Sequence, residues 1–410
     1  MTGFVLRLIR ESVPCTQAAL AEALGVDVDT LQGWESGRRP LANMRAGALL
    51  ELRRRLPALG GDVALVVWLD AAMDADRIIA AGLDGEASGP HPLAGWVHTR
   101  DTAHMLAWAL NGTVPAALAG RLPRPRRGPV AVAPQLAAAE RTVFFDHLRG
   151  ATEAAALQGE GGVLLHRQAL YLASYDQGPD AAAWTAHTLH RRRDVLARRG
   201  WSPHWAEARS TATALARLGD PQPLLDFIDR ALADDDTAEA ANLNYWALWL
   251  GALPLPQPDD AFMGNRDLSG WDPVTLLRGL ARGLHLAPGY VDLYAHSLWA
   301  LLTAFPWLPQ AAGPLGGPLR EQAGQLLDGA ALSARSRREL AHVHYVFDHN
   351  RCHRRTVWPT TPPRAPRASS PRWACSSASH EPAGGSPATR PPNPSRSTPS
   401  ASGSSVPSSP

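Results

Sequence analysis

The chain has 410 residues, enough for two or three domains, with 45% hydrophobic residues and a net charge of +2. All 40 basic residues are Arg, and three Cys cannot build a disulfide framework, so a reducing cytoplasm is the expected setting. The longest apolar run, Val63 to Leu69, falls well short of the ~20 residues that span a bilayer, and the first residues carry no secretory h-region, so neither a membrane nor a secreted protein is expected.

The first helix is expected over Phe4 to about Ser12, with Leu6, Ile9 and Val13 at helical spacing, until Pro14 interrupts it. Thr16 is a good N-cap for a second helix, Gln17 to Leu24, whose Leu20 and Leu24 share a face. Gly25 sits where that helix must end, because glycine takes the left-handed cap conformation at little cost. Asp27 is a second N-cap, opening a third helix with Val28, Leu31 and Trp34, which closes at Glu35-Ser36-Gly37. Leu41 to Leu56 reads as one or two further short helices with Leu49, Leu52 and Leu56 on one side. Ala21 lies four residues before Gly25, where the second and third helices come closest and a larger side chain would hold them apart. Apolar residues at 20, 24, 26, 31 and 34 bracket the turn, the pattern in which the second helix of a pair enters the major groove.

With Gln17 opening the motif and Trp34-Glu35-Ser36-Gly37-Arg38-Arg39-Pro40 closing it, residues 1–57 resemble the helix-turn-helix domain of the XRE, phage-repressor-like regulators. The resemblance implies a phosphate contact for Gln17 with its backbone N–H. It places Val28, Asp29, Gln32 and Gly33 on the exposed side of the recognition helix. Gln32 is the base-reading candidate, since a side-chain amide bonds adenine bidentately, and Val28 suits a thymine methyl. Arg38 and Arg39 suit phosphates. Arg10 and Glu35 resemble the internal ion pair that ties helix one to the end of helix three in this family. Two departures weaken the expected readout: Gly33 replaces a long polar side chain, and Asp29 brings negative charge to the phosphates. Residues 1–56 hold eight Arg and six acids, a net of +2, so a homodimer on a two-part operator is the expected binding form.

The middle of the chain, from residue 58 to 350, reads as helical apart from one linker. Asp62 to Gly82 and Thr99 to Asn111 are helices within a connector, 58–120. The Pro/Arg-rich stretch 121–132 reads as a linker. A helical regulatory domain, 133–350, follows, with eight or so segments between Gly and Pro turns at spacings of roughly 15–40 residues, as in a degenerate solenoid of tetratricopeptide type. Its many Trp, among them Trp184, Trp201, Trp205, Trp246, Trp249, Trp271, Trp299 and Trp307, read as core, with an aromatic groove for a small ligand or peptide as the alternative.

Residues 351–410 hold eight Arg, one acid, 13 Pro and 14 Ser, and no Leu or Ile. The charge there is +7, which leaves 2 − 7 = −5 for residues 1–350. Such a segment cannot offset its conformational entropy by burial, so a disordered tail is expected. A shifted reading frame of a GC-rich gene yields the same composition, and both readings stand; a basic tail would also add non-specific DNA affinity.

His342, His344, Asp348, His349, Cys352 and His353 are metal ligands by type, yet His342 and His344 point apart on a helix. His98 and His104 stand isolated. No phosphate-binding glycine loop, nucleophile elbow or CxxC pair occurs. No catalytic residue, metal or cofactor is therefore expected. The expected protein is all-α, not an enzyme: a cytoplasmic regulator that binds double-stranded DNA through residues 1–57 and meets a small-molecule or protein effector through its helical body. The alternative is a protein-interaction scaffold that keeps the helix-turn-helix fold without strong DNA binding.

Overall fold

Helix caps divide the chain where the glycines and prolines fall. In a computed structural model, the structure describes residues 1–356 except 14, 86–89, 123–132, 285–288 and 330–331. Among the described residues every regular element is helical, and none is a strand. The first half carries α1 (Thr2–Ser12), α2 (Gln17–Leu24), α3 (Val28–Glu35), α4 (Ala46–Ala58), α5 (Val63–Asp84), α6 (Arg100–Asn111), α7 (Ala116–Ala119), α8 (Ala138–Leu157) and α9 (Val163–Ala173). Then follow α10 (Ala181–His190), α11 (Arg193–Leu196), α12 (Trp205–Arg217), α13 (Gln222–Phe227), α14 (Asp236–Trp249) and α15 (Pro273–Gly283). The last four are α16 (Tyr290–Ala304), α17 (Leu308–Ala311), α18 (Gly316–Gly329) and α19 (Ala334–Thr356).

The expected boundaries shift where side chains cap helix ends. Asp62 lies outside α5, because its carboxylate accepts from the Ala64 N–H at 2.9 Å. The N-terminus of α1 moves forward to Thr2, whose N–H and hydroxyl both donate to Asp76 of α5, at 2.9 and 2.6 Å. That remote carboxylate supplies the partner the first turn lacks. Among the described residues beyond 133 the α-helices number twelve against the eight or so expected, in part because single-turn pieces such as α11 and α17 form between the longer ones. The last helix runs on to Thr356, into the stretch expected to be disordered; residues 357–410 lie outside the described residues.

Burial follows two large hydrophobic cores and a small third cluster of Leu170, Leu189, Ala214 and Leu215 within one compact body. The first core joins α1–α6 to Phe144, Phe145 and Leu148 of α8 and Leu172 of α9. It therefore runs across both 57/58 and 132/133, where the sequence reading divides the chain. The physical reason is that α8 returns to α5 and buries its aromatic face there, so the Pro/Arg stretch separates helices and not cores. Of that stretch only Arg121 and Leu122 are described, and Arg121 donates to Asp62 at 2.6 Å. The second core spans α11 to α19 around Trp205, Leu224, Phe227, Trp246, Leu298 and Leu301. Consecutive helices pack as neighbours, with α8 on α9, α12 on α13, α15 on α16 and α18 on α19, and α12 also packs on α9. Trp205, Trp246 and Trp271 are buried as expected, while Trp307 is 46% exposed.

Candidate nucleic-acid interface

The turn between α2 and α3 is built by Gly25. Its φ is 70°, its N–H donates to Glu22 O, and the next N–H, of Val26, reaches back to Ala21 O at 3.0 Å. A Cβ at residue 25 meets nothing within 4 Å, so the requirement is conformational and not steric. A Gly25→Ala variant should lose about 1–2 kcal/mol, the cost of holding an L-residue left-handed, which urea titration of the full chain would read. Thr16 caps α2 through its hydroxyl, which accepts from Ala19 N–H at 3.2 Å. Asp27 occupies the cap position of α3, but its side chain makes no cap hydrogen bond.

Helix α1 lies against the end of α3 without room for a side chain between them. A methyl at Gly3 would meet the backbone oxygens of Trp34 and Glu35, 2.6 Å from the latter. About two turns further along α1, Arg10 Nε donates to Glu35 Oε1 at 2.6 Å and its Nη2 to Oε2 at 3.1 Å. Both side chains are largely buried, 13% and 5% exposed. Burial pulls the guanidinium of Arg10 down, but the hydrogen bond and charge of Glu35 outweigh it and hold the group above its ordinary value. The structure thus brings Arg10 and Glu35 together.

Gln17 sits in the same network. Its amide Nε2 donates to Glu35 Oε2 at 2.7 Å, and its Oε1 accepts from Gln32 Nε2 at 3.3 Å. The side chain expected on a phosphate is therefore engaged within the domain, as the link between Glu35 and Gln32. Arg10, Glu35, Gln17 and Gln32 form one chain of hydrogen bonds from α1 to the outer face of α3.

Val28, Asp29 and Gln32 are exposed on α3, and Gly33 is not. The exposed side expected for Gly33 is a correction: Arg39 folds back over it, with its Cδ 2.9 Å from where a Cβ would stand. The cause is the chain reversal at Gly37, which lets Arg39 N–H donate to Gly33 O at 2.8 Å and Arg39 Nη1 to Thr30 Oγ1 at 2.8 Å. Arg39 is thus a clamp on α3 before it is a phosphate ligand. Thr30 escaped the sequence reading, because a threonine carries no signal of what a residue nine positions on will do. Arg38 is exposed.

The metal-ligand types near residue 350 do not converge. Asp348 accepts from Arg320 at 2.8 Å, and the ring of His349 lies 3.9 Å from that of Tyr345. Cys352 and His353 have side chains outside the described set. Among the described residues no three His, Cys, Asp or Glu side chains are grouped to hold a metal ion, and no helix is long and apolar enough to cross a membrane. Comparison of the chain with family models, with curated proteins and with solved structures finds no match.

Proposed function

We propose that the protein is a transcription regulator that binds double-stranded DNA through α2 and α3, as the resemblance of residues 1–57 to the XRE regulators implies. The observation that carries this reading is the left-handed turn at Gly25 between two eight-residue helices, with Val28, Asp29 and Gln32 exposed on the second. Gln32 reads a base, and Arg38 binds phosphate. Replacing Gln32 by Ala should relax discrimination at one base position by about 1–3 kcal/mol. Replacing Arg38 by Ala should weaken binding on all sequences alike and lower the slope of log K against log salt by about one unit. Gel shifts of both variants on matched duplexes over a salt series test this. A pair of variants that bind every duplex as the parent does would overturn it.

The covering of Gly33 by Arg39 favours a second reading, a scaffold that keeps this fold for protein contacts. It leaves three side chains for base edges, one of them the carboxylate of Asp29. Equal, weak affinity for every duplex tried would be its signature.

A further inference from the structure

Several buried ions in this protein have a charged partner close by. Glu207 is enclosed by His166, His204 and Arg192 at 3.0–3.2 Å. Arg167 is held by Asp260. Arg209 of α12 is 4% exposed, and its Nε and Nη2 have no hydrogen-bond partner. Among the described residues no carboxylate forms an ion pair with it. Its guanidinium lies instead over the rings of Tyr245 and Trp246, 3.8 and 4.7 Å from their centroids.

An arginine stays charged in a protein, and a buried charge demands a partner. The two rings, set at 81° to each other, cover only part of the guanidinium and leave its Nε and Nη2 donors to look for an acceptor. Arg209 lines a cavity of about 330 Å³ whose walls come from α6, α9, α12, α14 and α16. Arg100 and His104 form one wall; the rings of Tyr171, Trp249, Tyr290 and Tyr294 form much of the rest. Burial pushes His104 down to about 4, with Arg100 adding to the effect, so it is neutral at pH 7. The lining holds arginines and no acid.

We propose that this cavity binds a small planar organic acid, with its carboxylate on Arg209 and its ring among the tyrosines and tryptophans. A guanidinium fits a carboxylate bidentately. Tyr171 and Trp249 meet edge to face at 5.6 Å, and Tyr245 stacks on Trp249 at 6.1 Å, which leaves ring faces and edges to receive another ring. At about 30 Å³ per water-sized group, the volume admits roughly a dozen non-hydrogen atoms, and pockets for small ligands begin near this size. Inorganic phosphate would satisfy the arginine but leave the rings unfilled.

The cavity also touches the first core. His104 lines it, and Trp108, one turn along α6, packs edge to face on Phe4 of α1 at 5.1 Å. One helix therefore carries both a cavity wall and a support for α1. The proposal does not depend on DNA binding, since its test contains no DNA.

Calorimetric titration of the full chain at neutral pH with benzoate, indole-3-carboxylate and 1-naphthoate should find at least one carboxylate bound with unit stoichiometry. It should bind at least tenfold more tightly than 1-naphthamide, the neutral analogue, and than inorganic phosphate. Arg209→Met should weaken it at least tenfold while melting no lower than the parent, since the substitution removes a charge without a counterion. Absence of binding by all three acids, equal binding of the amide, or preference for phosphate would overturn the proposal; each is read on the parent and needs no folded variant. So would an Arg209→Met chain that binds as well as the parent, or one that melts well below it, which would make Arg209 a structural strut.

Discussion

Replacing Glu35 by Ala should cost about 3–5 kcal/mol, the range for removing one partner of a buried, hydrogen-bonded ion pair. Glu35 accepts both donors of Arg10 and one from Gln17, and its side chain is 5% exposed. Without it, Arg10 is left as a buried charge facing the backbone of α3, and Gln17 loses the acceptor that orients it toward Gln32. Urea titration followed by circular dichroism would read the loss. The double variant Arg10→Met, Glu35→Leu should recover most of it, because two apolar groups of similar length leave no orphaned ion. A loss under about 1 kcal/mol, the range of an exposed pair, would mean that solvent reaches the pair and that α1 is not tied to α3 in this way.

Acid should weaken the protein through His98 between about pH 6.5 and 4. Burial pushes the His98 imidazole from 6.5 down to about 4, and Arg167 is among the charges that add to it. In the unfolded chain the ring returns to its ordinary value. Between about pH 6.5 and 4 the unfolded state thus binds the extra proton, so the stabilisation is complete above 6.5 and lost as pH falls toward 4. The loss is of order 3 kcal/mol at pH 4, and His104, also pushed to about 4, acts in the same direction. Thermal melts of the parent and of His98→Gln, compared at pH 7.5 and 4.5, check this. The variant should show the smaller fall. Equal falls would place the titration elsewhere.

The elements that local chemistry specifies were readable from the sequence. Thr16 and Gly25 bound α2 because a hydroxyl acceptor and a left-handed glycine act on their own neighbours. Leu20, Ala21 and Leu31 are buried as their spacing requires. Contacts that depend on a chain reversal were not readable. Arg39 covers Gly33 only because the turn at Gly37 sends it back along α3, and no periodicity encodes that. Gln17 has one side chain and two plausible acceptors, a phosphate outside or Glu35 inside; the choice depends on how far Arg10 already fills the carboxylate. The cavity was the least legible feature. Arg209 lies in α12, Trp205–Arg217, a helix rich in small residues, and its aromatic neighbours come from positions 171, 245, 246, 290 and 294 on three other helices. Each aromatic taken alone reads as core; only the packing of those helices leaves a space between them.

The central claim, that α2 and α3 read DNA, is tested most directly by footprinting the full chain on the DNA upstream of its own gene over a salt series. The account predicts protection of two half-sites about one helical turn apart, ~34 Å, with log K falling linearly as log salt rises. Protection that is uniform along every duplex, or absent even at about 50 mM salt, where phosphate contacts are strong, would contradict it.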